Sequence, residues 1–223
     1  MPRVTLATDP TAARRTVADL LRQLGDIPPE RIRLVPTPGT ATEQDVLDIQ
    51  AHQGWLCELI DGVLVEKVMG FHESRLAIEL ILFLGAFVRQ HNLGVVVGAD
   101  GVVKLTTGLI RIPDVSFISW DRLPGRVLPP DPIPQVPLDL AVEILSPGNT
   151  KKEMDRKLRE YFAAGTRLVW FLEPKRRTAR VFTRPDRGVL LREDQALDGG
   201  AVLPGFVLPL RDLFDQASRG PGA

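Results

Sequence analysis

Two acidic residues lie inside extended apolar segments, where a charged side chain is costly to bury. Asp114 follows Pro113 within the run of residues 112–118. Glu143 lies in the middle of residues 138–145, a near-continuous apolar run typical of a strand buried on both faces. Alternation along that run puts Glu143 on the opposite face from its two neighbours. A buried carboxylate needs a compensating cation, which can be a lysine, an arginine or a metal ion. The alternatives are a turn residue for Asp114 and a plain buried ion pair for Glu143.

Lys157, on the helix that follows the Glu143 strand, is the candidate cation partner of Glu143. The pattern predicts a helix over residues 151–164, and its apolar side chains share one face: Met154, Leu158, Tyr161 and Phe162. Lys157 lies at the edge of this apolar face. Only residues 146–149 separate the helix from the Glu143 strand, so the ammonium group can reach the end of that strand. The alternative is a lysine that extends into solvent.

Two carboxylates and a lysine together suit one kind of chemistry. Hard oxygen ligands favour Mg²⁺ or Mn²⁺, which keep several waters and bind substrate phosphates. Such a metal ion polarises a phosphoryl oxygen and lowers the pKa of an attacking water. A nearby ammonium can orient that water or stabilise negative charge in the transition state. The sequence therefore makes Asp114 and Glu143 candidate metal ligands, with Lys157 beside them.

Several other kinds of site are excluded by the sequence. It contains no glycine-rich phosphate loop ending in Gly-Lys-Ser/Thr and no Gly-x-Ser-x-Gly nucleophile elbow. His72 and Glu73 begin like a zinc-protease helix, but Leu76 stands where the second histidine is required. One cysteine and three histidines make a structural zinc site improbable. No histidine lies in the carboxy-terminal half, which argues against a serine nucleophile.

Charge is balanced over the chain but not along it. The 223 residues contain 28 basic and 28 acidic side chains. Residues 151–192 hold 13 of the basic and five of the acidic ones, a net charge of +8 that the rest of the chain balances. This segment is either a basic surface for phosphates or, around residues 175–177, a solvated turn. The lone Cys57 favours a cytoplasmic protein, and the most apolar stretch, residues 76–88, is too short to span a membrane.

The remaining patterns describe one main domain with flanking segments. We predict an amino-terminal helix over residues 9–25 and a proline-rich linker to residue 41, a domain over 42–214, and a flexible tail over 215–223. Asp61-Gly62 predicts a tight hairpin, and residues 73–91 predict an apolar, central helix. Helices alternate irregularly with strands, so the expected fold class is α/β with a mixed sheet flanked by helices.

Several short motifs together resemble one known family. They are Pro-Asp-Val at residues 113–115, Ala-Val-Glu-Ile-Leu-Ser-Pro at 141–147, Lys-Leu-Arg-Glu-Tyr at 157–161 and Val-Trp-Phe-Leu-Glu-Pro at 169–174. The run Glu-Leu-Ile-Asp-Gly-Val-Leu-Val-Glu at 58–66 also fits. Across residues 42–213 the chain resembles the bacterial family of putative restriction endonuclease domains, in the PD-(D/E)xK nuclease superfamily. The resemblance implies a restriction-endonuclease-like fold.

The resemblance also implies roles for individual residues. Asp114 would be the aspartate of the Pro-Asp motif and Glu143 the acidic member of the (D/E)xK motif. Leu145 occupies the motif's lysine position, and Lys157, from the next helix, matches the residue that this family uses instead. Glu58 resembles an additional upstream acidic residue, for which Glu79 competes, and His72 would line the site.

These roles imply a Mg²⁺- or Mn²⁺-dependent endonuclease that hydrolyses DNA phosphodiester bonds, with a homodimer expected by analogy. A catalytically inactive interaction protein with the same fold is an alternative, because the usual lysine position holds Leu145. A nuclease acting on RNA or on branched DNA is another, since it would use the same site.

Overall fold

The structure is a computed structural model that describes residues 16–218. Its helices are α1 (Val17–Leu24), α2 (Glu43–Gln53), α3 (Phe71–Gln90), α4 (Lys151–Ala163) and α5 (Leu210–Ser218). Its strands are β1 (Cys57–Ile60), β2 (Val63–Glu66), β3 (Gly94–Val97), β4 (Val103–Thr106), β5 (Leu109–Arg111), β6 (Val115–Ser119), β7 (Leu140–Ile144), β8 (Leu168–Glu173), β9 (Thr178–Arg184), β10 (Arg187–Leu191), β11 (Ala196–Asp198) and β12 (Val207–Pro209).

The central sheet has six strands in the order β10-β9-β8-β7-β6-β3. Only β7 and β8 in it are parallel, and α4 connects them; every other pair is antiparallel. A four-stranded sheet in the order β2-β1-β5-β4 and the small β11-β12 ladder complete the described strands. The predicted α/β class, with a mixed sheet flanked by helices, is confirmed.

Strand β7 is buried on both faces, as its sequence predicts. Leu140, Val142 and Ile144 pack into the cluster that contains the apolar face of α3, whereas Ala141 packs into the cluster that contains α4. The alternation therefore directs the Glu143 side chain toward α4. The six-stranded sheet covers one face of the apolar helix α3, but Ile78 and Leu82 on its other side are exposed, so the helix is not central, contrary to the prediction.

Residues 112–114 carry the chain from the four-stranded sheet to the six-stranded sheet. Strand β5 ends at Arg111 and β6 begins at Val115, so Asp114 lies at the junction between the two sheets. Its backbone N–H donates to the carbonyl oxygen of Val142 at 3.0 Å. This bond extends the β6–β7 ladder to Asp114, which places its carboxyl group beside the end of β7.

The hairpin of β1 and β2 fixes a register that matters for the site. Asp61 and Gly62 both have positive φ, the conformation of a type I′ turn. With this two-residue turn, Glu58 pairs directly with Val65. Paired residues of an antiparallel ladder point to the same side of the sheet, so residue 67, two positions after Val65, lies on the face that carries Glu58.

The amino-terminal segment packs on the main domain. Helix α1 ends at Gly25, whose φ of +89° is the left-handed cap conformation. A side-chain carbon at Gly25 would lie 2.7 Å from the backbone nitrogen of Glu153, so this position requires glycine. Further along, Ile32 forms a β-bridge with Val65. Residues 16–41 are thus joined to both α4 and β2, and the first part of the predicted helix, residues 9–15, lies outside the described residues.

The carboxy-terminal part contains elements that the sequence patterns do not predict: β10, β11, β12 and α5. Helix α5 extends to Ser218 and so runs past residue 214, where the predicted domain ends. The last five residues of the predicted tail, 219–223, lie outside the described residues. None of the helices within residues 16–218 has the length and apolar character that crossing a bilayer requires.

Candidate active site

Four of the five predicted site residues line one small cavity. Glu58 on β1, Asp114 at the sheet junction, Glu143 on β7 and Lys157 on α4 surround about 20 Å³ of space, roughly enough for one water molecule. Each of the four side chains is at least nine-tenths buried. Strands from two sheets and one helix therefore bring three carboxylates and an ammonium into a single site.

Glu143 is the centre of the hydrogen-bond network. The Lys157 ammonium donates to both of its carboxylate oxygens, at 3.0 and 3.1 Å. The hydroxyl of the fully buried Tyr161, one turn further along α4, donates to Oε1 at 2.5 Å. Because both donors come from the same helix face, α4 fixes the orientation of the Glu143 carboxyl group.

Glu58 is held by two cations and a backbone amide. Arg111 donates from Nη1 to Oε2 at 2.7 Å, and the Ile112 N–H donates to Oε1 at 3.2 Å. The Lys157 ammonium lies 3.1 Å from the same Oε1. Arg111 is itself completely buried and also pairs with Glu160, so a fixed arginine holds Glu58 in contact with Lys157.

Asp114 has a lysine of its own. Its Oδ1 lies 2.7 Å from the ammonium of Lys67, which also donates to the carbonyl oxygen of Ile112. Its Oδ2 accepts a hydrogen bond of 2.5 Å from the backbone N–H of Ile144. Asp114 and Glu143 thus lie at the ends of adjacent strands, each facing a different lysine.

Burial and charge act differently on the two glutamates. Burial raises the pKa of Glu143 above its ordinary value, opposed by the Lys157 and Lys67 ammonium groups but reinforced by the carboxylates of Asp114 and Glu58. Burial also disfavours ionised Glu58, but Lys157, Arg111 and Lys67 together outweigh it and lower the pKa of Glu58. Glu58 and Lys157 therefore remain an ion pair, while Glu143 is the glutamate whose ionised form burial disfavours.

Two residues considered at the sequence level do not line this cavity. His72, implied by the resemblance, lies exposed in the first turn of α3, where its ring contacts Phe71 edge to face. It lines a different surface depression, formed with α5. Glu79, the competitor of Glu58, forms an ion pair with Arg75 on its own helix. The α3 residue that does line the cavity is Glu73.

The sequence reasoning did not identify Lys67 and Arg111. The register of the hairpin could have indicated Lys67, because a two-residue turn at 61–62 places it on the face that carries Glu58. Arg111 has a simpler signal, since an arginine inside the apolar run that leads to Pro113 requires a buried carboxylate. Cys57, by contrast, has no part in this network: burial raises the pKa of its thiol to about 11, so the thiol stays protonated.

The cluster suits a divalent metal ion by its chemistry. Asp114 and Glu143 offer hard carboxylate oxygens at neighbouring strand ends, as Mg²⁺ and Mn²⁺ prefer. No group of three or more potential ligands of the His, Cys, Asp or Glu type is assembled within residues 16–218. Two carboxylates are sufficient for Mg²⁺, which takes its other ligands from water and substrate phosphate. Burial raises the pKa of Glu143, and the repulsion from Asp114 and Glu58 that adds to this effect would be relieved by an added cation, so Asp114 and Glu143 fit the ion.

Most basic residues of the segment over residues 151–192 are paired with carboxylates of this chain, many of them at the surface. Eight of its 13 basic residues form ion pairs with carboxylates. In the predicted turn, Lys175 and Arg176 are exposed, whereas Arg177 binds Glu193 and Asp215. The five that pair with no described carboxylate are all exposed: Arg159, Lys175, Arg180, Arg187 and Arg192.

Comparisons with known proteins agree with this fold. A crystal structure of a putative nuclease belonging to DUF820, from Anabaena variabilis, superimposes with a TM-score of 0.64 at 19% sequence identity. The match covers 73% of this chain and 91% of the Anabaena chain. No curated protein matches the sequence. The sequence model of the Uma2 family, described as putative restriction endonuclease, matches residues 43–211. The chain therefore belongs to the Uma2 putative restriction endonuclease family.

Proposed function

We propose that this protein is a metal-dependent endonuclease that hydrolyses DNA phosphodiester bonds. The observation that supports the proposal is the meeting of Asp114, Glu143 and Lys157 in one cavity. Membership of a family described as putative restriction endonuclease supports a nuclease, and the Anabaena structure supports the fold. The alternative of an inactive interaction protein was based on Leu145, which occupies the usual lysine position. Lys157 weakens that alternative, because it contacts Glu143 from α4 and supplies a lysine from another position.

In this proposal the two carboxylates hold the metal ion, which supplies Lewis-acid activation of the phosphate and of a water molecule. Asp114 is fixed for that task by the Ile144 N–H, and Glu143 by the Tyr161 hydroxyl. Both bonds hold carboxylate oxygens in place without adding charge. Tyr161 is a positioning residue, and burial beside Glu143 raises the pKa of its hydroxyl well above the ordinary value, so it remains a donor.

Lys157 provides the fixed positive charge of the site. Although burial disfavours its ammonium form, the carboxylates of Glu143 and Glu58 outweigh burial and raise the pKa of Lys157. It therefore keeps its proton and cannot act as a general base at neutral pH. Its role is to orient the attacking water or to stabilise negative charge that develops on the phosphoryl oxygens.

DNA is the proposed substrate, and a homodimer would allow two such sites to cut both strands. The five exposed basic residues between 159 and 192 can contact phosphates, and such contacts weaken as salt rises. RNA and branched DNA would use the same chemistry and differ in the shape that the surface accepts. They are therefore included as substrates in the test.

We expect Asp114→Asn to lower the rate of plasmid cleavage by about 100-fold in Mg²⁺ or Mn²⁺, the scale seen when one preorganised electrostatic contact is removed. The amide keeps the size of the side chain but loses the charge that binds the metal ion. The measurement is the conversion of supercoiled plasmid to nicked and linear forms, with EDTA as the metal-free reference.

Asp212→Asn is the matched control, because Asp212 is an exposed aspartate on α5 with no ion pair to another described residue. It should cleave like the wild type. Equal cleavage by the wild type and both variants would show that the activity comes from a contaminant. Faster cleavage of single-stranded RNA or of a four-way DNA junction than of plasmid would reassign the substrate but keep the site.

A further inference from the structure

Arg31 lines the same cavity but comes from outside the region that matches the family. The family match begins at residue 43, whereas Arg31 follows α1 in the amino-terminal segment. Its side chain lies with Lys67, Asp114 and Glu143 in the wall of the cavity and is 12% exposed. The amino-terminal segment thus places a cation beside the candidate active site.

The backbone around Arg31 is fixed to strand β2. Ile32 forms a β-bridge with Val65, and the Arg33 N–H donates to the carbonyl oxygen of Leu64 at 3.0 Å. The Nε of Arg31 donates to the carbonyl oxygen of Glu66, also at 3.0 Å. These bonds hold Arg31 next to the backbone of Lys67, so its position in the site does not depend on one flexible side chain.

Arg31 is the cavity cation with the most unused hydrogen-bond donors. The Lys157 ammonium lies 3.0 to 3.1 Å from three carboxylate oxygens. Lys67 binds Asp114 and one carbonyl oxygen. Arg31 uses its Nε and one hydrogen of Nη1, which contacts Glu153 at 2.9 Å, and its Nη2 has no partner within residues 16–218. A guanidinium has five N–H donors, so three remain for a ligand.

We propose that Arg31 binds a phosphate group of the substrate, which makes the amino-terminal segment part of the active site. This inference rests on the proposed nuclease function. The cavity is lined by four carboxylates and, without Arg31, by two lysines, and both lysines are already paired with carboxylates. A phosphodiester anion entering there needs a cation with free donors, and an arginine fork matches phosphate oxygens.

The competing role for Arg31 is purely structural, as the ion-pair partner of Glu153. Glu153 has other support, because the Asn149 side-chain amide donates to it at 3.2 Å and the Thr150 hydroxyl accepts from its backbone N–H. Glu153→Gln therefore weakens the ion pair while leaving the arginine in place. If Arg31 binds phosphate, Glu153→Gln should change DNA binding less than Arg31→Ala does. If Arg31 is only the partner of Glu153, the two variants should change binding equally.

The experiment measures binding of a DNA duplex to the full chain carrying Asp114→Asn, with Mg²⁺ present, over a series of salt concentrations. Adding Arg31→Ala should weaken binding and reduce the slope of log affinity against log salt by about one phosphate contact. Arg31→Lys should keep the slope of the parent, since one positive charge remains. Arg33→Ala is the matched control, because Arg33 stacks on Trp55 and does not line the cavity.

An unchanged slope for Arg31→Ala, or an equal reduction by Arg33→Ala, would overturn the inference. A change in Glu153→Gln as large as that in Arg31→Ala would also overturn it, in favour of the structural role. If the alanine variant does not fold, Arg31→Gln replaces it with the same expected slope. A wild type that neither binds nor cleaves nucleic acid removes the proposed function and this inference together; cleavage with an unchanged Arg31→Ala slope removes the inference alone.

Discussion

Replacing Lys157 by methionine should lower the free energy of unfolding by about 3–5 kcal/mol, the cost of breaking a buried ion pair from one side. Lys157 is almost completely buried and is shared by Glu143 and Glu58. Without the ammonium, these two carboxylates face each other in a low-dielectric environment. Methionine has a similar length, so lost packing contributes little. Urea denaturation at neutral pH measures the change.

Two further variants separate charge from packing. Lys152→Met, on the same helix, removes an exposed lysine that pairs with Asp26, and it should cost no more than about 1 kcal/mol. Adding Glu143→Gln to Lys157→Met removes one of the unpaired charges and should recover part of the stability. A loss for Lys157→Met no greater than that for Lys152→Met would contradict the buried ion-pair network.

Glu143→Gln should separate activity from stability. We expect it to reduce plasmid cleavage by about 10²- to 10³-fold, because it removes a charge that both binds the metal ion and faces Lys157. Glutamine keeps an oxygen that can accept from Tyr161, so the network retains its shape. The same substitution should leave the protein at least as stable as the wild type at neutral pH, since burial disfavours the ionised carboxyl group and Lys157 keeps Glu58 as its ion-pair partner.

The stability effect of Glu143→Gln should depend on pH in a definite direction. The folded-state pKa of Glu143 is raised above its ordinary value of 4.5, so the unfolded chain loses this proton first as pH rises. The stability that protonated Glu143 contributes is full below pH 4.5 and declines as pH rises toward the folded-state pKa. The variant lacks this decline.

Unfolding free energies measured at pH 4.5 and at pH 7 test this sign. The free energy of unfolding of Glu143→Gln, relative to that of the wild type, should increase as pH rises. Glu58 has the opposite sign, because its pKa is lowered: its stabilisation is present above its ordinary pKa and is lost as pH falls. If the wild type instead became more stable relative to Glu143→Gln from pH 4.5 to pH 7, the pKa of Glu143 would be lowered like that of Glu58.

The local part of the site could be predicted from sequence because it follows from periodicity. Alternation along residues 138–145 directed Glu143 toward α4, and the apolar face of that helix placed Lys157 at its buried edge. The α/β class with a mixed sheet followed from the order of the elements. Each of these inferences uses side-chain directions that the backbone period sets within one element.

The rest of the site depends on how distant elements meet, and no local period encodes that. His72 lies in the first turn of the apolar helix α3, but its side chain is exposed. The next residue, Glu73, lines the cavity instead. Arg31 reaches the site only because Ile32 pairs with Val65. Strand β10 was missed because most of its side chains are exposed, so it has no apolar alternation to detect.

A crystal of the protein soaked in Mn²⁺ tests the central claim most directly, because anomalous scattering locates the ion without assuming its ligands. The account predicts a peak between the carboxylates of Asp114 and Glu143, which disappears in a soaked crystal of Glu143→Gln. An empty cavity at Mn²⁺ concentrations that support cleavage, or a peak bound by other residues, would contradict the assignment of these two residues as the metal site.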